Sequence, residues 1–261
     1  MVRHADDTLR PRLRLNLRTI AGYLLALVII IAVWALLAWI ISSPALPLPW
    51  EAIEQFFITL PQMLPHILIS LWRVIAAMLL GTALGLPLGL FIGRSARADR
   101  LAAPLLYILY PIPKVVFLPV LMVLMGLGNA PKIVLIATVV FFQMLVTARG
   151  AAHAIAPESI TSVRSLGATP IQIAQHVIVP SALPDIFTAL RICIGTAIAV
   201  LFLAESIAGS TGIGYYIMNA WSRLDYVAMF AGIIAMGAMG VGLYEILNII
   251  EHRAVRWKKQ Q

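Results

Sequence analysis

Residues 158–184 read ESITSVRSLGATPIQIAQHVIVPSALP, a polar, helix-coding stretch in a chain that is otherwise strongly apolar. Gly167 is followed thirteen residues later by Pro180, with Val177 and Val179 between them. The punctuation predicts two short helices. Pro157-Glu158-Ser159 opens the first with an acid in its first turn, where the helix dipole favours negative charge, and Gly167 supplies its stop. Thr169 reads as an N-cap, Pro170 as the first helical residue and Gln172 as the return half of a capping box. Pro180 is expected to end the second helix. The wider segment 149–185 is too polar to enter lipid, so the stretch predicts a structured hairpin outside the bilayer, jointed at Gly167. A helix lying flat on lipid fits less well, because only one basic residue falls between Glu158 and Gln175 and the amphipathicity is weak.

The rest of the chain sets the class. Of 261 residues, 61% are hydrophobic and 11% charged, against about 25% charged in soluble domains; mean hydropathy is +0.95. Runs of roughly 20 apolar residues, enough to span a bilayer, recur along it. The fold class is therefore all-α and polytopic, because backbone in lipid must satisfy its own hydrogen bonds. The formal charge of +8 does not point to nucleic acid, since the basic residues cluster at the ends of apolar runs. The single cysteine, Cys193, excludes an intrachain disulfide and a multi-cysteine metal site and reads as a packing residue. His4, His66, His153, His176 and His252 are scattered, so no metal and no cofactor are expected.

Six spans are predicted: Ile20–Ile41, Val74–Gly93, Leu101–Leu127 (broken by Pro104, Pro111, Pro113 and Pro119), Ile133–Ala148, Ile186–Ala208 and Val227–Ile250. The first exceeds a signal-peptide core and reads as an uncleaved anchor. A proline-rich turn and a short amphipathic helix from Trp50 are expected ahead of the second span, with Trp50 and Trp72 at the membrane interface. With both termini inside, the inner segments carry fourteen Lys and Arg, while the outer loops 42–72, 128–131 and 209–225 carry only Arg223. That asymmetry places both termini in the cytoplasm. One transmembrane domain covers 1–261, with a basic tail at 1–19, a cytoplasmic loop at 149–185 between spans four and five, and a tail at 251–261. Gly81, Gly85, Gly89 and Gly93 repeat every four residues and form one helix face that lets another backbone approach. The partner of that face is a helix of the same bundle, a second copy or the path. Gly232, Gly237, Gly240 and Gly242 form a looser set.

Charges within apolar runs are functional candidates. Lys114, in PIPKVVFLP, either lines a translocation path where prolines bend the third span or pairs with Glu205. Glu205, near the outer end of span five, reads as water-exposed or backbone-bonded, or else as a solute contact. Arg191 is expected to snorkel, and Glu245 could pair with any of these. GSTGIG at 209–214 superficially suggests a phosphate loop, but it follows a membrane helix, and no Gly-Lys-Ser/Thr occurs in the chain. The nucleotide reading fails.

The 158–184 stretch resembles the cytoplasmic loop of ABC-importer permeases: Glu-Ala-Ala, three residues, Gly, nine residues, Ile, one residue, Leu-Pro. LFLAESIAGSTGIGYYIMNAWSRLDYV, YPIPKVVFLPVLMVLMGLG and EHRAVRWKK are similar to the fifth-span end, third span and tail of the sulfonate, taurine, nitrate and bicarbonate branch. The resemblance covers nearly the whole chain. It implies that Glu158, Thr161, Ser162, Val163, Arg164, Gly167, Ala168, Val177 and Pro180 contribute to a loop that docks on an ATP-binding subunit. One departure stands out. Thr161, Ser162 and Val163 occupy the Glu-Ala-Ala positions and Glu158 lies three residues early, so the motif glutamate's contact would pass to Thr161 or Arg164. The implied partners are two ATPase copies, an extracytoplasmic solute-binding protein, a second permease copy and membrane lipid. The chain itself would be no enzyme. PIPK wording and a single candidate cation lean the solute toward a vitamin-type heterocycle, such as riboflavin or a thiamine pyrimidine precursor, otherwise a sulfonate, taurine or nitrate. The competing readings are a secondary transporter or channel driven by an ion gradient, which commonly carries more midplane carboxylates or inverted repeats, and an intramembrane enzyme, for which no catalytic constellation is present.

Overall fold

Apolar runs separated by proline and glycine become ten α-helices in the structure, a computed structural model that describes residues 17–255. They are α1 (Leu17–Ile41), α2 (Pro49–Arg94), α3 (Ala96–Leu109), α4 (Leu118–Met125), α5 (Asn129–His153), α6 (Pro157–Ser165), α7 (Pro170–Ile173), α8 (Val179–Ala208), α9 (Ile213–Ser222) and α10 (Tyr226–Ala254). Among the described residues five helices are long and apolar enough to cross a membrane, and α3 with α4, bent by 79° at a short break, meets the same measure only when taken as a pair. Arg3, Arg10, Arg12, Arg14, Arg256, Lys258 and Lys259, which enter the charge asymmetry, lie outside the described residues.

The second span differs from its expected form. The proline-rich turn stands ahead of it as expected, but the helix from Trp50 is neither short nor separate. Pro49–Arg94 is one helix of 46 residues, about 69 Å at 1.5 Å per residue. Pro61, Pro65 and Pro87 lie inside it. Each proline removes one backbone bond, and packing offsets the loss: Met63 is fully buried in a cluster with Ile213, Ile217 and Ala235. Glu51 starts the helix by accepting from the Leu48 N–H at 3.1 Å, with Pro49 at the first position.

The glycine ladder lies against α5, which runs parallel to α2. A Cβ on Gly81 or Gly85 would stand 2.6 Å from the carbonyl oxygens of Ala137 and Phe141, and one on Gly89 or Gly93 would collide with those of Leu145 and Arg149. The central core is then completed by α8 and α10, with Val140, Met144, Cys193, Leu201 and Met239 buried together. By contrast α1 is peripheral. Trp34 stacks on Phe230 at 5.3 Å and donates to the Pro47 carbonyl, while most of its large apolar side chains are exposed.

The third crossing starts earlier than predicted, at Ala96, where the Ser95 hydroxyl accepts from the Ala98 N–H. Pro104 does not break it; the break falls at Pro111 and Pro113, and a 3-10 turn (Lys114–Phe117) leads into α4. Span four extends to Asn129 and His153, beyond its predicted ends on both sides.

Pro180 does not end a helix, contrary to its sequence reading. It sits in the first turn of α8, where a missing N–H is harmless, and α7 reaches α8 through a π-helical turn at Ala174–Ile178. The wider π spacing accommodates the extra residue without breaking the rod. The expected hairpin is thus one short helix, α6, jointed at Gly167 to a near-continuous helix that runs into the fifth crossing.

Candidate functional site

Two regions combine polar chemistry with unusual local structure, and they lie at opposite ends of the bundle. The first is the jointed loop. Pro157 is at the first position of α6 and Glu158 in its first turn. Gly167 has φ +82°, a left-handed conformation that glycine adopts without a Cβ clash, and its N–H bonds to the Arg164 carbonyl at 2.9 Å. The capping box is complete: Thr169 accepts from the Gln172 N–H, and Gln172 accepts from the Thr169 N–H at 2.8 Å. Ile155, Ile160 and Ile173 form a small buried cluster, with Val163, Ala168, Val177 and Ile178 packed against it, so the angle at Gly167 is braced by side chains.

The hydroxyls of Thr161 and Ser162 donate back to the carbonyls of Pro157 and Glu158 at 2.9 and 2.8 Å. The motif positions therefore present little free donor capacity, whereas Arg164 is exposed. Sequence reasoning missed two neighbours. Leu166 is 87% exposed and Ile171 69% exposed, one on each side of the Gly167 joint. They are the most exposed large apolar side chains on the loop.

Below this loop, Arg149 pairs with Asp99 and Arg94 donates to the Ala152 carbonyl at 3.2 Å, tying the α2–α3 turn to the end of α5. Arg191 is partnered by Glu251. Glu245 is exposed and pairs with none of the charges above.

The second region is a buried polar network at the far end. His66, Ser70 and Arg73 fall on one face of α2 at helical spacing and, with Glu205, hold residues 211–214, the end of the strap after α8 and the first residues of α9, residue by residue. Arg73 donates to the Thr211 carbonyl and hydroxyl, both at 2.9 Å. The Gly212 N–H donates to His66 Nδ1 at 3.1 Å, which leaves the imidazole proton on Nε2. The Ile213 N–H donates to the Ser70 hydroxyl at 2.8 Å, and the Gly214 N–H donates to Glu205 at 2.9 Å. Glu205, with no exposed surface, also accepts from Ser70 at 2.8 Å and from Arg73 at 2.6 Å. Arg73, 1% exposed, sends its remaining donors to the Asn129 side-chain carbonyl at 2.9 and 2.6 Å. Gly212, at φ +113°, is required: a Cβ there would run into the Glu205 carboxylate.

This arrangement decides three expectations. Glu205 takes the backbone-bonded form of its expectation through the Gly214 N–H and is buried at the hub of a polar network. Lys114 does not pair with it. The Lys114 ammonium uses all three donors on the carbonyls of Leu109, Tyr110 and Ile112, at 2.6, 2.9 and 2.7 Å, and rests 4.6 Å from the centre of the Phe142 ring. It closes the broken end of α3, where freed carbonyls demand donors, and so holds the 79° bend. Finally, Arg73 and Lys132 fell in the gaps between the assigned loops and spans, so the outer charge inventory overlooked both. Their signal was available: Arg73 continues the His66–Ser70 face, and Lys132 stands in the first turn of an apolar helix. Among the described residues no cluster of His, Cys, Asp and Glu could hold a metal.

Comparison with known proteins follows the same lines. Residues 85–256 match the family model of the binding-protein-dependent transport system inner membrane component. The taurine transport system permease protein TauC of Escherichia coli (strain K12) is 29% identical over 240 residues, covering 88% of this chain and 87% of the relative. The aliphatic sulfonates transport permease protein SsuC of Bacillus subtilis (strain 168), a putative assignment in its own description, is 29% identical over 88% of this chain and 85% of the relative. An ABC transporter permease protein of Methanocaldococcus jannaschii, also putative by description, reaches 30% over 88% and 89%. Among solved structures, an inward-facing conformation of the MetNI methionine ABC transporter superposes with a TM-score of 0.61 at 21% identity, covering 75% of this chain and 97% of the other. That likeness establishes a shared fold.

Proposed function

The chain belongs to the binding-protein-dependent transport system inner membrane components and is the permease subunit of an ABC importer; from that premise we propose that it carries an organosulfonate of the taurine class. The relatives named for a solute are named for taurine or aliphatic sulfonates, which favours that class over the vitamin-type heterocycles that the PIPK wording brings to mind. The family implies an ATP-binding subunit and a solute-binding protein as partners. Two permease copies and two ATP-binding subunits complete the proposed assembly, with the path between the copies. Hydrolysis belongs to the other polypeptide, since this one has no Gly-Lys-Ser/Thr.

Residues 157–173 are the proposed coupling element. The observation that carries this is the braced joint at Gly167 flanked by the bare side chains of Leu166 and Ile171. A capped, braced segment can transmit a push from a closing ATPase dimer where a floppy tether cannot, and two exposed apolar side chains fill a partner's groove. With Arg73 and Lys132 added to Arg223, the inner count exceeds the outer by fourteen to three, which supports cytoplasmic termini and a loop on the nucleotide side.

The test is co-purification followed by transport. A tag on this chain, recovered from native membranes, is expected to bring down an ATP-binding subunit. The reconstituted assembly is expected to accumulate taurine only with ATP and the loaded binding protein. Recovery of the chain without any ATP-binding subunit, together with uptake driven by an ion gradient alone, would reverse the reading.

A further inference from the structure

At the loop end of the bundle, the last turn of α2, the first turn of α3, the end of α5 and the start of α6 enclose an open cleft of about 560 Å³. That is within the size range of small-ligand sites. Gly93, Arg94, Asp99, Arg100, His153 and Pro157 are among its lining residues. The walls are tied together. Gly93 lies against the Arg149 carbonyl, and the Arg149–Asp99 pair joins α3 to α5.

Side chains set the sign of the cleft. Two helix C-termini (α2 and α5) and two N-termini (α3 and α6) meet there, so the helix dipoles offset one another. Asp99, the acid in the lining, is already neutralised by Arg149. Arg94 spends one donor on the Ala152 carbonyl at 3.2 Å and makes no other hydrogen bond among the described residues. Arg100 is exposed and takes part in no ion pair among the described residues. Two guanidinium forks in the lining therefore keep donors to give, and a fork matches the oxygens of a phosphate.

The surface beside the cleft selects the kind of phosphate. Beyond Arg100, α3 leaves Leu101, Leu105, Tyr107 and Ile108 exposed. Cations followed along one helix by bare apolar side chains match a phospholipid, headgroup first and acyl chains after. A soluble phosphate would leave that apolar surface uncovered. We propose that this cleft binds the headgroup phosphate of an anionic phospholipid, since basic pockets between membrane helices recognise such headgroups. Held there, the headgroup touches α2, α3, α5 and the base of α6, the first helix of the proposed coupling element. The site depends neither on the solute nor on which side of the membrane the loop faces.

The test is native mass spectrometry of the permease–ATPase complex in detergent, titrated with phosphatidylglycerol or with phosphatidylcholine of the same acyl chains. The parent is expected to prefer phosphatidylglycerol. Arg94→Gln and Arg100→Gln are each expected to weaken its binding about fivefold, and the double variant about thirtyfold, as loss of one and two cations beside an anionic headgroup implies. Arg223→Gln, which removes an exposed cation at the far end, is expected to change nothing. Equal affinity for the two lipids, or a double variant that binds as the parent does, would overturn the proposal. Displacement of phosphatidylglycerol by an equal concentration of inorganic phosphate would give the cleft to a soluble anion and overturn the lipid assignment. Loss of the ATP-binding subunit from the double variant, with no lipid preference in the parent, would make the cleft a protein contact and overturn it as well.

Discussion

At the scale of single residues, Glu205 and Lys114 make opposite uses of charge in lipid. Glu205 gathers Arg73, Ser70 and a backbone N–H into a closed network, so removing one partner strands the others without water. Glu205→Gln or Arg73→Met is expected to lower stability by about 3–5 kcal/mol, because breaking a buried pair leaves an uncompensated charge. Membrane abundance and thermal unfolding in detergent measure the loss. Lys114 satisfies itself locally on three carbonyls, so Lys114→Met should cost about 1–3 kcal/mol from carbonyls left without donors. The two sites share no partner, and the double variant Lys114→Ala with Glu205→Ala is expected to sum the single effects to within about 0.5 kcal/mol. Rescue in that double variant would overturn the assignment of Lys114 as a local clamp.

Among elements, two glycine positions do different work. The ladder on α2 is an intramolecular seam, because each of its four glycines faces a carbonyl of α5. Gly85→Leu or Gly89→Leu should push the parallel helices apart, at a cost of about 3 kcal/mol or more by overpacking against backbone, with loss of the folded monomer itself as the readout. Gly167 has open space around it, and its constraint is conformational. Gly167→Val places a β-branched residue at φ +82°, costing roughly 1–2 kcal/mol or more of strain and tilting α6 off its brace. Normal insertion with lost uptake is expected; full uptake in this variant would remove the joint from the coupling pathway.

For the molecule as a whole, the two polar regions sit at opposite ends and are linked by rods. The joint at Gly167 leads through α7 and the π turn into α8, and α8 ends at Glu205 and the strap. A displacement of the loop therefore has a stiff route to the network at the far end. The exposed pair Leu166 and Ile171 is the proposed input. Leu166→Ser with Ile171→Ser is expected to leave thermal stability within about 0.5 kcal/mol, as surface changes do, while recovery of the ATP-binding subunit on a tagged permease falls. Unchanged recovery would show that the partner seats elsewhere.

Periodicity, length and punctuation were enough to read the all-α membrane class, the capped loop and the Gly167 joint, because hydrophobic run length and capping residues act over a few neighbouring positions. The same local rules misplaced Pro104 and Pro180 as breaks and set a short separate helix ahead of the second span. Whether a proline ends a helix depends on what the helix packs against: Met63 among Ile213, Ile217 and Ala235 holds one rod together, and a π turn absorbs the other. The pairing of charges was equally out of reach. Arg73 and Glu205 are 132 positions apart, and nothing local distinguishes Arg73 from Lys114 as the partner of Glu205. Run length and capping, being local, determined the class and the caps of the loop. Only the tertiary structure, which sets helix register and hence which side chains share a buried interior, decided that Glu205 is a hub and that Lys114 is a clamp.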